Sequence, residues 1–210
     1  KLVGMKVNDF ADLLSTDAPA PGGGSVAALC GALSGALSAM VGALTHGKKG
    51  YEDAFDEAEA VSIEGQRLKD EFLADVDRDT DAFNKVMAAS RLPKKTDEDK
   101  AARKAAMEEA NKDATLVPFN VLKRTWEAAE LARRIVSKGN KNSVSDAGVA
   151  ALTARTAAEG AYLNVAINLP GIEDEKFRAD TLKEAADIRK KVIEHTEETV
   201  RLSEKIIAES

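Results

Sequence analysis

The sequence predicts an all-α fold: a single-domain bundle of long helices around a buried Ala/Gly-rich central helix. Three observations predict it. Apolar residues recur at three- and four-residue spacings through most of the chain, and no stretch shows convincing strand alternation. Gly and Pro are gathered into a few clusters that separate long uninterrupted segments. Residues 19–46 contain no Asp, Glu, Lys or Arg and are dominated by Ala, Gly and Ser. The 210 residues suit one domain spanning 1–210, with enough chain to bury a real core.

Val7 to Leu14 reads as a short amphipathic helix with Asn8 as its cap. Ala18-Pro19-Ala20-Pro21 is a stiff extended entry, and Gly22-Gly23-Gly24 frees the backbone before Ser25 caps the central helix. In that helix Leu29, Leu33, Leu37, Met40 and Leu44 fall within an arc of roughly 80°. Ala27, Gly31, Ser34, Gly35, Ser38 and Gly42 occupy the opposite side, where a second helix can approach closely. The segment is long enough to span a bilayer, but lipid solvates such a small-residue face poorly, and everything after Lys48 is heavily charged. A buried helix of a bundle is the expectation.

Gly47 and Gly50 end this helix, with Lys48 and Lys49 at its negative C-terminal end. Tyr51 to Arg91 reads as one long helix whose seam runs through Ala54, Ala58, Val61, Gly65, Leu68, Phe72, Val76, Phe83 and Val86, until Leu92-Pro93 stops it. Thr96-Asp97-Glu98-Asp99 restarts a helix toward Leu116, Pro118 marks a break or kink, and Phe119 to Lys138 follows. A loop from Asn140 to Val144 leads to a second small-faced helix over 146–168. Its stripe of Val149, Leu152, Thr156, Leu163 and Ile167 lies opposite Ala147, Ala151, Ala154, Ala158 and Ala161. Leu169-Pro170-Gly171 ends it, and 174–208 is a last charged helix. Helices of 35–40 residues run roughly 50–60 Å, longer than a compact monomer of this size needs, so a dimer is favoured.

Composition narrows the function. The net charge of -6 argues against a general binder of nucleic acid or membrane surfaces, though not against an anionic small molecule in a basic pocket. One cysteine, Cys30, excludes an intramolecular disulfide framework and a cysteine-built zinc site, and His46 and His195 are too far apart in sequence to suggest a metal centre. No signal peptide is legible in residues 1–15, so the cytoplasm is the default.

Function tends to show where a local pattern is broken. Asp79 projects between Val76 and Phe83, near the middle of an apolar seam, while Asp77 and Asp81 point elsewhere. A carboxylate there is paired, hydrogen-bonded or displaced in pKa, or else a kink returns it to solvent. Glu159 sits similarly, but Arg155 four residues earlier offers an ion pair, and His195 reads as a core histidine. The Gly22-Gly23-Gly24-Ser25 turn offers helix-start N–H groups to an anion or is a plain helix entry. Thr45 to Tyr51 gathers glycines, two ammonium groups and a phenol. The Asn140–Asp146 loop is a polar cluster in which Ser143 and Asp146 have capping-box-like spacing.

Taken together these segments resemble the cyclodeaminase/cyclohydrolase family of folate enzymes. The resemblance rests on Pro19-Ala20-Pro21-Gly22-Gly23-Gly24-Ser25, Leu44-Thr45-x-Gly47-Lys48-Lys49-x-Tyr51, and Asp79-x-x-Ala82-Phe83 followed by Leu92-Pro93-Lys94. It continues through Ser145-Asp146-Ala147-Gly148-Val149 and Gly160-Ala161-x-Leu163-Asn164-Val165-x-Ile167-Asn168-Leu169. It implies an all-helical homodimer acting on a tetrahydrofolate derivative as substrate, with no metal and no cofactor. It also implies catalytic roles for Asp79 as acid/base, for Lys48 and Tyr51 in positioning and proton transfer, and for Asp146 as a second carboxylate. Gly23, Gly24, Ser25, Lys49, Asn142 and Asn164 would bind substrate.

Two reactions remain open. One is hydrolysis of 5,10-methenyltetrahydrofolate to 10-formyltetrahydrofolate. The other is cyclodeamination of 5-formiminotetrahydrofolate to the methenyl compound and ammonia. With no transferase domain in this sequence, the reading leans to the hydrolysis. A folate-binding bundle without turnover is a third possibility, against which Asp79, Lys48, Tyr51 and Asp146 all speak.

Overall fold

The computed structural model describes residues 1–209, in which six helices are joined by short turns and no strand is present among the described residues. They are α1 (Val7–Leu14), α2 (Gly23–Thr45), α3 (Phe55–Ser90), α4 (Asp97–Lys138), α5 (Val144–Asn168) and α6 (Glu175–Ala208). Helices α3, α2, α5 and α6 lie side by side in that order, each antiparallel to its neighbour, and α4 runs across their back, touching all four.

The small face of α2 is buried as expected, and the reason is backbone proximity. A Cβ added at Gly35 would stand 2.9 Å from the Gly65 carbonyl oxygen of α3, and one at Gly42 would stand 2.5 Å from that of Ala58. On the α5 side the hydroxyl of Ser34 donates to the Ala150 carbonyl at 2.8 Å. By length and composition α2 could cross a membrane; here half or more of it lies inside the bundle. Its larger apolar side chains are turned the other way. Leu33, Met40 and Leu44 of α2, with Val149, Leu152, Leu163 and Ile167 of α5, are 39–76% exposed on the face opposite α4.

Several local expectations need correcting. Lys6, not Asn8, occupies the N-cap of α1, because the Asn8 amide donates to Asp9 instead. Gly22 is the N-cap of α2, and Ser25 lies one turn inside it. A short 3-10 turn over Glu52–Ala54 precedes α3. Ser143 is the N-cap of α5 without a side-chain bond, so it forms no capping box with Asp146. Thr96 does form one, with Asp99, at the start of α4.

The largest departure is that α4 runs unbroken through Pro118 for 42 residues. Proline cannot supply the N–H that the Ala114 carbonyl would ordinarily accept. The Asn168 side-chain amide supplies it instead, from α5, at 2.9 Å.

Candidate active site

The N-terminus of α2 meets the middle of α3 at Asp79. The Ser25 hydroxyl donates to Asp79 Oδ2 at 2.8 Å, and the Ser25 backbone N–H also donates to this carboxylate, which thereby closes the open end of α2 from outside. Burial pushes the Asp79 carboxyl above its ordinary value, against the downward pull of the two Ser25 bonds. Gly24 is what lets the carboxylate come so near, since a Cβ there would fall 2.1 Å from Asp79 Oδ1.

This junction opens into a cavity of about 250 Å³ bounded by the turn before α2, the Asp79–Val86 face of α3, Asn111 and Ala114 of α4, and Asn164 and Asn168 of α5. Phe83 and Val86, one and two turns beyond Asp79, form its apolar wall rather than continuing the core seam. Gly23 packs against the Asn164 side chain. The buried hydroxyl of Thr80, without a hydrogen-bond partner, is at the same wall. A larger, open depression of about 640 Å³ lies where residues 1–5 rest on α3. Asp77 there is engaged by the Leu2 backbone N–H, and no buried polar cluster faces that space.

The other expected residues gather at the far end of α2. Lys48 Nζ donates to Asn140 Oδ1 at 2.8 Å, so its charge is paired with an amide rather than a carboxylate. Tyr51 Oη accepts the Lys141 backbone N–H at 3.0 Å, which leaves the phenol proton free to be donated. Asn140 organises this end. Buried, it also accepts from the Asn142 N–H at 3.1 Å and donates its own backbone N–H to Thr45 Oγ1 at 2.8 Å. Lys49 and the Asn142 side chain are exposed, and Asp146 lies half-buried in the first turn of α5.

The structure therefore divides the residues expected to act together. Asp79, Gly23, Gly24, Ser25 and Asn164 form one group, and Lys48, Lys49, Tyr51, Asn142 and Asp146 another. The 23 residues of α2 between them span roughly 35 Å.

Sequence reasoning passed over Asn111 and Asp75, and named Asn140 only as the start of a polar loop. Asp75, almost fully buried, is held by Arg78 and Arg124, and burial still pushes its carboxyl upward. Its spacing from Leu68 and Phe72 was the available signal. This is a structural carboxylate between α3 and α4, away from the cavity. Glu159 pairs with Arg155 and Arg189, as an ion pair was expected to, and His195 packs on Trp126 beside Glu130. His46 lies against Phe55. Among the described residues no cluster of three or more His, Cys, Asp or Glu could hold a metal ion.

The protein is an all-helical bundle with a half-buried carboxylate set on the glycine-rich start of its central helix. A sequence profile described as formiminotransferase-cyclodeaminase matches residues 6–187, and the chain belongs to that family. Among its relatives is a methenyltetrahydrofolate cyclohydrolase from Methylorubrum extorquens, 42% identical over 85% of this chain and 86% of that one. The formimidoyltransferase-cyclodeaminase of Gallus gallus is 36% identical over 86% of this chain, which spans 33% of that longer protein. The crystal structure of a formiminotetrahydrofolate cyclodeaminase from Thermotoga maritima superposes with a TM-score of 0.88 at 28% identity, covering 99% of this chain and 100% of that one.

Proposed function

We propose that this protein is a methenyltetrahydrofolate cyclohydrolase, working as a homodimer whose substrate sites are each built from both copies. The observation that carries the reaction is Asp79: a carboxylate partly withdrawn from water, raised in pKa and opening on a cavity, in a chain 42% identical to a cyclohydrolase. The substrate carries a cationic N5–C–N10 amidinium, which a carboxylate complements. Water attacks the central carbon while Asp79 takes one of its protons. The C–N5 bond then breaks as Asp79 returns that proton to N5. The second water proton leaves as the formyl C=O forms on N10, so the balance is one water consumed and one proton released.

The apolar stripes of α2 and α5 support the dimer. Seven large apolar side chains on one face are left 39–76% exposed, and burying what remains exposed of each is worth about 1–2 kcal/mol. A two-fold axis that sets α2 antiparallel to its copy opposes the two helix dipoles and brings the Asp79 end of one chain to the Lys48 end of the other. Lys48 and Tyr51 of the second copy then position the substrate and assist proton transfer, and its Asp146 orients water. Lys49, Asn142 and the Gly23-Gly24-Ser25 backbone line the approach. The cavity alone, at about 250 Å³, is smaller than the roughly 300–1,000 Å³ of sites that enclose a whole drug-sized ligand, so it holds one ring system and leaves the rest outside.

A second reading, the cyclodeaminase, is favoured by the close superposition on the Thermotoga enzyme. The two are separated by assay. Accelerated loss of the near-ultraviolet absorbance of 5,10-methenyltetrahydrofolate is the expected result. Ammonia released from 5-formiminotetrahydrofolate, with no effect on the methenyl compound, would establish the second reading, and failure with both substrates would contradict both.

A further inference from the structure

Three asparagines face the Asp79 cavity, and each has its amide tied down in the same sense. Asn111 Nδ2 donates to the Gly171 carbonyl at 2.8 Å, Asn164 Nδ2 to that of Gly160 at 2.8 Å, and Asn168 Nδ2 to that of Ala114 at 2.9 Å. A carbonyl accepts only from the NH₂ side of an amide, so the chemistry fixes all three orientations. Among the described residues no donor reaches any of the three Oδ1 atoms, and each side chain lines the cavity. Together with Asp79 this gives the cavity four side chains that present acceptor oxygens and no cationic side chain, beside the Thr80 hydroxyl and the backbone of the α2 start, with Phe83 and Val86 as an apolar wall.

A ligand that satisfies such a wall brings several N–H donors on a flat ring. On the folate reading above, on which this inference rests, the reduced pterin is the part that fits: its 2-amino group and N3–H are adjacent donors on one edge, with N8–H beyond the acceptor N1, on a bicycle whose faces suit Phe83 and Val86. The aminobenzoylglutamate half is excluded by its carboxylates, which Asp79 and three amide oxygens would repel. We propose that the amide oxygens of Asn111, Asn164 and Asn168 form an acceptor rim that reads the donor edge of the pterin, making the cavity the pterin subsite. The rim leaves N5 and the reacting carbon to Asp79 and sends the rest of the folate toward the second copy.

Asn168 also has a structural task, filling in for the N–H that Pro118 lacks. The test separates the two duties. Pro118→Ala restores an ordinary helical donor to the Ala114 carbonyl, so in that background Asn168→Ala leaves no orphaned group. Asn111→Ala provides a second variant that does not touch α4 hydrogen bonding. In the methenyltetrahydrofolate assay, each Ala variant is expected to raise KM by about 3- to 15-fold with kcat within about threefold. 6-Methyltetrahydropterin should inhibit the parent protein competitively and the Ala variants about 3- to 15-fold less well, while inhibition by p-aminobenzoylglutamate stays unchanged. The inference is overturned if the variants keep the parent's pterin inhibition, or if inhibition by p-aminobenzoylglutamate is what weakens. Absence of turnover in the parent protein would instead strike the folate reading itself.

Discussion

Asp79→Asn is expected to lower kcat for 5,10-methenyltetrahydrofolate by about 10²–10⁴-fold while leaving the protein folded. Asparagine can still accept one bond from Ser25 through Oδ1, so the closure of α2 survives, but it can neither take a proton from water nor hand one to N5. Stability should move the other way. Burial raises the Asp79 pKa, so the folded chain holds that proton to higher pH than the unfolded chain does. The carboxyl therefore subtracts from native stability as pH rises from the ordinary aspartate range through its raised folded value, and an uncharged amide has no such loss. Thermal melts at pH 7 should place Asp79→Asn at or above the parent protein. For the parent, kcat/KM should rise with pH through a limb lying above the ordinary carboxylate range, and this limb should vanish in the variant. Gly24→Ala should reach a similar kinetic defect with every catalytic group present, because its Cβ claims the place of Asp79 Oδ1. A folded Asp79→Asn protein with near-normal turnover would remove Asp79 from the acid/base role.

The second large effect is expected far from any polar residue of the site. Leu152→Glu and Leu163→Glu put charge on the exposed apolar face of α5 and leave the buried Ala face untouched. Light scattering should find a dimer for the parent and a folded monomer for each variant. Turnover should fall by two orders of magnitude or more, since the Lys48 group of the second copy no longer reaches the substrate. Monomers with full activity would show that the Asp79 cavity works alone.

The helices were legible because their punctuation is local. Gly47 and Gly50, both at positive φ, Leu92-Pro93 and Leu169-Pro170-Gly171 stand where the chain turns. Pro118 misled for the opposite reason: the amide that replaces its missing donor lies fifty residues away on α5. The small faces of α2 and α5 were legible as places of close approach. That their larger residues face outward was not, because a wheel shows that two sides differ and not which one another chain covers. Asp79 was visible as a break in an apolar seam. Its sequence neighbour Asp75, the more buried of the two, was not singled out, since an arginine from α4 completes its pairing. The separation of the Lys48 group from the Asp79 group follows from α2 being a straight rod between them, and motif matching in chain order carries no distance.

A substrate site shared between two chains is open to a subunit-mixing experiment. Asp79→Asn and Lys48→Met are each expected to be nearly inactive as homodimers. Co-expressed with different tags and purified as the heterodimer, they place both lesions in one site and leave the other intact, so about half of the parent's methenyltetrahydrofolate hydrolysis should return. A stable heterodimer no more active than either homodimer would contradict the shared site.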